Sequence, residues 1–589
     1  METVIPTYQG NIWNILTSIR SKDTNTILIT YLKLLLVQNK LVAVIITSLT
    51  ITIPFIEVLI LTLIYLLLDI PTAERYLDLL YIYIPYVTLP SSLIAPLLVM
   101  CSTTLILLWA LLRLYKTRVY ATTRYNIYLN QVNKISDLYF ALPGDTQLKE
   151  HNEDISNLMI HLSGSAAAFV MGWVTLASSI MSVAIFTVVV IYGSPLVTLI
   201  ALTLGVLSMI INARNFSDMQ TIGTTKITTH EEVLFNVTQN IRSFELIKYD
   251  GLATVIQAQI AKIITKDRDW RIDKRKTAEK ITVFTDSFGL LSLLIVITVS
   301  VLFLQINIEL LLILLLLLNR VRSHISEAQT SWTTIKEVKP AVTELLSTQT
   351  RLEGFQKQNL IQPSTITQVT MESVSFKYND HVVVDDVSLD INLGDIVLFT
   401  GPSGEGKSTV LKLLSGYYRP TLGKVAYNKN NIDTAFLDFT NMHQHLFFAA
   451  NDIYIPNVTI RSFIDPKNIL TDNQIHKIMR QACLSDLFDN DWTLQSLIGD
   501  NGTNLSLGQR QRLLMSRIFK FNPSIILLDE STSNLDDETE TMLFNNIISH
   551  LNEKYIIIIA SHHAPSTLKF TQAYTVEKGQ LINAETSQR

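Results

Sequence analysis

Long apolar runs are concentrated in the first half of the chain. Residues 1–320 contain nearly all of them, whereas the sequence after about residue 365 alternates like an ordinary soluble α/β domain. Runs suited to membrane-spanning helices of about 20 residues fall at roughly 41–68, 88–112, 165–192, 195–212, 282–304 and 306–320. The pattern predicts a multi-domain chain: a six-helix all-α transmembrane domain over 1–345, a linker over 346–365 and an α/β domain over 366–589.

The polar intervals between these runs indicate the topology. The connections at 192–195 and 305–307 are too short to hold a domain, whereas the intervals 113–164 and 213–281 are long, helix-compatible and basic. Because basic residues are enriched on the cytoplasmic side of membrane proteins, both long intervals and both termini are expected in the cytoplasm. The intervals are predicted to continue the membrane helices beyond the bilayer, either as plain connections or as levers touching the second domain.

Two acidic residues interrupt the apolar runs. Glu57 lies inside the first run, and Asp286 lies near the start of the fifth. An ionisable side chain within a span is costly, about 2.5–3.5 kcal/mol at the helix centre, so it normally faces a partner or a water-filled cavity. One hypothesis is that Glu57 forms an anionic cavity wall that favours neutral or cationic cargo. The alternatives are a structural hydrogen bond for Glu57 and an interfacial position for Asp286.

Composition excludes several classes of protein. A chain of 589 residues is too long for one core, and a mean hydropathy of +0.29 with 17% charged residues is too apolar for a wholly soluble protein. The net charge of -4 argues against nucleic acid as a partner. The two cysteines are far apart, which predicts neither a disulfide nor a cysteine metal site. The N-terminal sequence lacks a basic region and a cleavage site, so no cleaved signal peptide is expected.

A phosphate-binding loop is predicted at residues 401–408. The pattern is Gly401-x-x-x-x-Gly406-Lys407-Ser408, preceded by the strand-like DIVLFT and followed by an apolar helix. This context distinguishes a phosphate loop from an ordinary glycine-rich turn. The glycines, including Gly404, let the backbone wrap phosphate oxygens, Lys407 reaches the β- and γ-phosphates, and Ser408 supplies an oxygen ligand to Mg²⁺.

Two buried-strand patterns further on end in residues suited to the same chemistry. PSIILLDE ends in Asp529 and Glu530. Asp529 suits the coordination shell of Mg²⁺, and Glu530 is placed to polarise an attacking water. KYIIIIASHH ends in His562, which is expected at the same sheet edge as a γ-phosphate contact rather than a plain surface residue. Upstream, Tyr378 is either a base-stacking aromatic or a core strand residue.

The stretch NGTNLSLGQRQRLLMSRIF, residues 501–519, predicts a helix whose first turn can hold an anion. Ser506 is the predicted N-cap, and Gln509 three residues later completes a capping box. Leu513, Leu514 and Ile518 recur at helical spacing and would pack the helix on a core. The free backbone N–H groups of the first turn and the helix dipole favour phosphate. Alone, the pattern is more typical of an ordinary helix start.

The order of these motifs resembles that of ATP-binding cassette (ABC) proteins over residues 366–585. With six predicted spans before it, the whole chain resembles a half-size ABC exporter of the type IV fold. The resemblance implies ATP and Mg²⁺ as cofactors and a dimer that sandwiches ATP between the glycine loop of one subunit and the signature helix of the other. The nucleotide-contacting residues it implies also include Ser403, Thr409, Gly508 and Asp536.

The chain departs from the family pattern at two places. Leu507 replaces the first glycine of the family signature Leu-Ser-Gly-Gly-Gln, but a first helical position with ordinary φ does not require glycine. Asn451 occupies the place of the family's glutamine, a ligand of Mg²⁺ and of the attacking water, and is one methylene shorter. Gln444 takes that role only if the alignment is shifted.

The resemblance implies export. The amino-acid sequences of the motifs are most similar to those of bacterial exporters of small antibacterial peptides, including lasso peptides. We expect a homodimer in the cytoplasmic (inner) membrane, in contact with lipids and carrying a small processed peptide or other amphipathic substrate. A lipid or lipopeptide flippase and a multidrug exporter are alternatives. An ATP-gated channel or sensor is an alternative of another class, whereas the predicted spans exclude a soluble ATPase acting on DNA or ribosomes.

Overall fold

The structure is a computed structural model of the chain. It describes residues 40–583 apart from 75–90, 141, 143–156, 243–248, 250–251, 305–306, 357–360, 362, 364–365, 379–380, 429–431, 438, 451–453, 491, 552–553 and 563–567. The chain divides into two compact units, one formed by Met1–Leu138 with His151–Arg351 and the other by Tyr139–Glu150 with Leu352–Arg589.

The first unit is built from long helices. They are α1 (Lys40–Leu68), α2 (Ser91–Phe140), α3 (Ser163–Gly193, preceded by a π-helical turn at Leu158–Leu162), α4 (Pro195–Arg242), α5 (Ala253–Leu302) and α6 (Ile308–Gln356). Several of them run for about 50 residues, far beyond the roughly 20 residues needed to cross a bilayer. The prediction that the membrane helices continue through the polar intervals is therefore confirmed for the described residues.

Five of these helices are long and apolar enough to cross a membrane, namely α1 to α5. The sequence had predicted six spans. The sixth predicted run begins α6, but its apolar stretch is flanked by Glu309 and soon followed by Arg320 and Arg322. The connection at Ser194 is a single residue between α3 and α4, as the short predicted link requires.

Helix α6 packs closely against its neighbours through their glycines. A Cβ atom at Gly223 of α4 would lie 2.1 Å from the carbonyl oxygen of Glu337 in α6, and one at Gly172 of α3 would lie 2.9 Å from the side chain of Ile335. Lys274 of α5 donates a hydrogen bond to the Glu337 carboxylate at 2.6 Å. Two apolar clusters surround α6: one includes Ile135, Phe169, Val342 and Leu345, and the other includes Phe186, Val296, Leu314 and Leu317.

Both acidic residues of the apolar runs have cationic partners. Glu57 is 8% exposed; Trp109 Nε1 donates to its Oε1 at 2.7 Å, and Arg320 Nε lies 3.5 Å from its Oε2. Asp286 is paired with Arg322 at 2.6 Å. The hypothesis that Glu57 forms an anionic cavity wall is therefore wrong, because its carboxylate is buried beside a cation from α6. The alternative of a structural hydrogen bond to a neighbouring helix is confirmed by the bond from Trp109.

The second unit contains two sheets. One has the order β2 (His381–Asn392), β1 (Gln368–Tyr378), β4 (Leu422–Tyr427), β5 (Ile432–Asp433) and is antiparallel. The other has the order β10 (Gln580–Asn583), β9 (Gln572–Glu577), β3 (Ile396–Thr400), β8 (Ile556–Ala560), β7 (Ile525–Asp529), β6 (Leu446–Ala449), and its neighbours from β9 to β6 are parallel.

Helices complete the second unit. They are α7 (Lys407–Leu414), α8 (Ile460–Ile464), α9 (Asp472–Gln481), α10 (Leu507–Phe521) and α11 (Asp537–Leu551). Strands β3, β7 and β8 are near-continuous Ile, Leu and Val runs because both faces of a parallel sheet are covered. Their side chains divide between a core shared with α7 and the antiparallel sheet and a core shared with α9, α10 and α11.

Candidate functional site

The carboxyl ends of three parallel strands place the predicted chemistry together. In the sheet register, Phe399 of β3 lies beside Ala560 of β8, which lies beside Asp529 of β7. The chain leaves these strands into the glycine loop at 401–406, into Glu530 and towards His562. Ligands of open α/β sheets bind at this edge, and the sequence prediction that these motifs share one sheet edge is confirmed.

The glycine loop is held in a shape that side chains would prevent. Gly401 has φ +135°, and a Cβ atom there would lie 2.4 Å from the carbonyl oxygen of Val576. Gly406, at φ +108°, is the N-cap of α7. Lys407 is buried, and its Nζ donates to the carbonyl oxygens of Gly401 at 2.7 Å and Pro402 at 2.9 Å. The loop therefore encloses an ammonium group at a helix N-terminus, an arrangement that suits phosphate.

Ser408 and Asp529 provide oxygen ligands at the start of α7. Ser408 Oγ donates to Asp529 Oδ1 at 3.0 Å. Asp529 is 4% exposed, and burial, with a smaller contribution from neighbouring Glu530, raises the pKa of its carboxyl. A hydroxyl and a partly desolvated carboxylate are hard ligands of the kind Mg²⁺ prefers. These two residues fit the predicted cation, which would favour the charged form of Asp529.

His562 contacts both Glu530 and Ser403. His562 Nε2 lies 3.1 Å from Glu530 Oε1 and 3.1 Å from Ser403 Oγ. Glu530 has φ +50°, which is uncommon for a residue with a side chain. The backbone N–H of Glu530 donates to Ala560 O at 2.9 Å, which ties this left-handed residue to the end of β8. The sequence placed Glu530 and His562 near each other, but it gave no signal for the contact of His562 with Ser403.

Other predicted residues lie around the loop and the sheet. Tyr378 is 37% exposed at the end of β1, with its ring edge-to-face against Phe376 and Tyr418 at 5.1 and 5.7 Å. Thr409 is buried in α7. Gly404 has φ +87°, and a Cβ atom added there would have no other atom within 4 Å. The ring of Tyr378 is thus partly packed and partly available.

The aspartate loop ends at the start of α11. Asp536 Oδ2 accepts a hydrogen bond from Thr539 N at 2.9 Å, and this bond lowers the pKa of Asp536. Asn451 lies outside the described residues. Gln444, the fallback for its role, ends a 3-10 turn at Phe439–Gln444 before β6.

The predicted capping box of α10 is confirmed. Ser506 Oγ accepts from Gln509 N at 3.2 Å, and Gln509 Oε1 accepts from Ser506 N at 3.0 Å. Leu507 is the first helical residue and is 49% exposed. A Cβ atom at Gly508 would lie 3.1 Å from Asn534 O. The first turn is therefore exposed at Leu507 and closely packed against the aspartate loop at Gly508.

The phosphate loop has a further contact that the sequence did not indicate. The Glu405 carboxylate accepts a hydrogen bond from the backbone N–H of Lys578, in the turn between β9 and β10. Lys578 has φ +48°. An acidic residue in a phosphate loop is unexpected on charge alone, and this bond directs its carboxylate to the β9–β10 turn.

Comparison with known proteins gives a family match in the second unit. The model of the ABC transporter domain matches residues 384–533. A multidrug resistance ABC transporter ATP-binding and permease protein of Lactococcus lactis is 32% identical over 215 residues, which is 36% of each chain. The microcin-J25 export ATP-binding/permease protein McjD of Escherichia coli is 28% identical over 264 residues, 42% of this chain and 45% of the relative. The alignments thus span less than half the length of these relatives.

A solved structure matches nearly the whole chain. The structure of a bacterial Atm1-family ABC exporter with ATP bound superposes with a TM-score of 0.73, covers 94% of this chain and 95% of the other, and is 17% identical in sequence. The fold of both units is therefore that of an ABC exporter. The five apolar helices found in the described part of the chain are characteristic of a multi-pass membrane protein.

Proposed function

We propose that this chain, which carries an ABC transporter domain and has the fold of an ABC exporter, hydrolyses ATP to drive export across the cytoplasmic membrane. The observation that carries the proposal is the meeting of the glycine loop, Asp529, Glu530 and His562 at one sheet edge. Among the residues that the structure describes, five helices have the length and composition of membrane spans. Both termini are proposed to be cytoplasmic.

Each residue of the edge has a proposed role in hydrolysis. Lys407 exchanges its loop carbonyl acceptors for β- and γ-phosphate oxygens. Ser408 and Asp529 would hold Mg²⁺, which would neutralise phosphate charge. Glu530 orients the attacking water and accepts its proton. His562 leaves the pair seen with Glu530 and donates to the γ-phosphate, which frees the carboxylate for the water. Ser506 and Gly508 are proposed to contact the γ-phosphate held by a second copy.

The test of hydrolysis is Glu530→Gln. The amide keeps shape and hydrogen bonding but cannot accept a proton, so we expect turnover to fall by about 10²-fold or more while ATP still binds. Steady-state phosphate release and retained radiolabelled ATP measure the two effects on the purified full-length protein. Lys407→Ala is the contrasting variant, since it should lose binding itself. Near-normal turnover in Glu530→Gln would contradict the assignment.

We further propose that the cargo is a small processed antibacterial peptide. This proposal rests on the similarity to the microcin-J25 exporter and on the amino-acid sequences of the motifs. The similarity to a multidrug resistance transporter supports a multidrug exporter as the second candidate, and a lipid flippase is a third. Inverted vesicles containing the wild-type protein should accumulate a labelled lasso peptide when ATP is added. Vesicles containing Glu530→Gln should not accumulate it.

The same vesicles separate a pump from an ATP-gated channel. A pump accumulates cargo above the external concentration, whereas a channel only equilibrates it. A channel also has no requirement for Glu530, so Glu530→Gln would leave its flux intact. Accumulation that disappears in Glu530→Gln supports the exporter, and equilibration that survives in Glu530→Gln supports the channel.

A further inference from the structure

The helices of the first unit carry a cluster of ionisable side chains where α1, α2, α3 and α6 meet. Its carboxylates already have partners: Glu57 pairs with Arg320, and Glu327 lies 3.2 Å from His324 Nδ1. All of the cluster residues on α1, α2 and α3 fall within the helices suited to crossing a membrane. Arg113 and Lys116 begin the basic interval 113–164, in which α2 continues beyond the predicted membrane span.

Positive charge is in excess in this cluster. Lys116 Nζ donates to the neutral hydroxyl of Ser178 at 3.0 Å and lies 5.3 Å from the centre of the Tyr120 ring. Arg113 lies over the Trp109 ring at 5.1 Å. Among the residues the structure describes, no carboxylate lies within ion-pair distance of Lys116 or Arg113. Glu57 and Glu327 act on Lys116 from further away, so the three cations Arg113, Lys116 and Arg320 stand against two carboxylates.

A cavity adjoins the lysine. It has a volume of about 410 Å³ and lies between α1, α2 and α3, with walls that include Ile46, Thr50, Ile127, Met171, Ala177 and Ser178. The hydroxyl of Ser178, which accepts the hydrogen bond from Lys116, is part of this wall. The volume is that of a site for a small ligand, and its lining is almost wholly apolar, with a few hydroxyl groups.

We propose that this cavity and Lys116 form a cargo site for an amphipathic anion, whose apolar body fills the cavity and whose carboxylate pairs with Lys116. The inference rests on the proposed export function and names the class of substrate. The half-buried Lys116 forms its strongest hydrogen bond with an acceptor that carries a negative charge, because charge-assisted hydrogen bonds are about twice as strong as neutral ones. Ser178 is a neutral acceptor that an incoming carboxylate can replace.

The test uses two matched probes, N-acetyl-Leu-Leu-Phe as the free acid and as the carboxamide, which differ in one charge. The full-length protein is placed in nanodiscs of zwitterionic phosphatidylcholine, and binding is measured by equilibrium dialysis without ATP. We expect the acid to bind about tenfold more tightly than the amide, a difference of about 1.4 kcal/mol. Lys116→Met should remove this preference, and Lys116→Arg should keep it.

Two further variants serve as controls. Arg118→Met removes an exposed cation from the same helix two residues away, and the preference for the acid should persist. Ala177→Phe reduces the cavity volume and should weaken the binding of both probes. Equal binding of acid and amide to the wild type, or a preference that survives Lys116→Met, would overturn the proposal, as would the failure of both probes to bind.

The result is separable from that of the proposed function. Binding is measured without nucleotide, whereas hydrolysis is tested by Glu530→Gln. Loss of turnover in Glu530→Gln together with equal binding of the two probes would reject the cargo site alone. Selective binding of the acid together with normal turnover in Glu530→Gln would reject the hydrolysis assignment alone.

Discussion

Leu507 begins α10 directly after the N-cap Ser506, with its side chain half exposed. The cap bonds use Ser506 and Gln509, so the backbone at position 507 needs no special conformation. We therefore expect Leu507→Gly to keep ATPase activity within about twofold and to lower the free energy of unfolding by no more than about 1 kcal/mol. Phosphate release and thermal unfolding of the purified variant measure the two quantities.

The neighbouring Gly508 provides the matched contrast. A side chain there would press on the carbonyl oxygen of Asn534 at 3.1 Å and on Leu535 at 3.4 Å, which would displace the aspartate loop from α10. Gly508→Val should therefore lose most of the ATPase activity that Leu507→Gly keeps. Complete loss of activity in Leu507→Gly would show that this leucine has a packing role beyond its half-exposed position.

At the scale of the elements, Gly223 of α4 lies close to the backbone of α6 at Glu337. Gly223→Val would force a side chain into the carbonyl oxygen of Glu337, at 2.1 Å for the Cβ atom alone. We expect this variant to yield little folded protein. Gly164→Ala is the control, since nothing lies within 4 Å of its new Cβ and alanine is favoured over glycine in a helix by about 1 kcal/mol.

Detergent extraction, size-exclusion profiles and thermal unfolding measure both variants. Gly164→Ala should match the wild type or exceed its unfolding temperature, while Gly223→Val should aggregate. A well-folded Gly223→Val protein would mean that α4 and α6 can move apart without unfolding the first unit.

The elements that sequence predicted well are those specified by local pattern. Apolar runs located α1 to α5, and strand, glycine loop and helix located α7 and its phosphate loop. Contacts between residues far apart in sequence were not predictable. The sequence leaves a cavity wall and a structural hydrogen bond as alternatives for Glu57, because neither Trp109 nor Arg320 shares its helix and only tertiary packing brings those two side chains to it. The contact of Ser403 with His562 was missed for the same reason.

At the scale of the whole molecule, the proposed ATP sites need two copies of the chain. Within the described residues, the side-chain hydrogen bonds of Ser506 go to Gln509, and none joins Ser506 to the loop at 401–408. The fold is that of an ABC exporter. We infer that the exposed first turn of α10 completes the phosphate site of the other subunit, so that each of two sites draws its loop from one copy and its signature helix from the other.

Subunit mixing tests this arrangement. Lys407→Ala and Ser506→Arg, each as a homodimer, have two damaged sites and should not retain ATP. A dimer containing one subunit of each kind combines both defects in one site and leaves the other intact, so it should retain one ATP per dimer. Differently tagged subunits are co-expressed, purified through both tags and assayed for bound radiolabelled ATP in the Glu530→Gln background. Sites contained within one chain predict no recovery, because each subunit then carries its own defect.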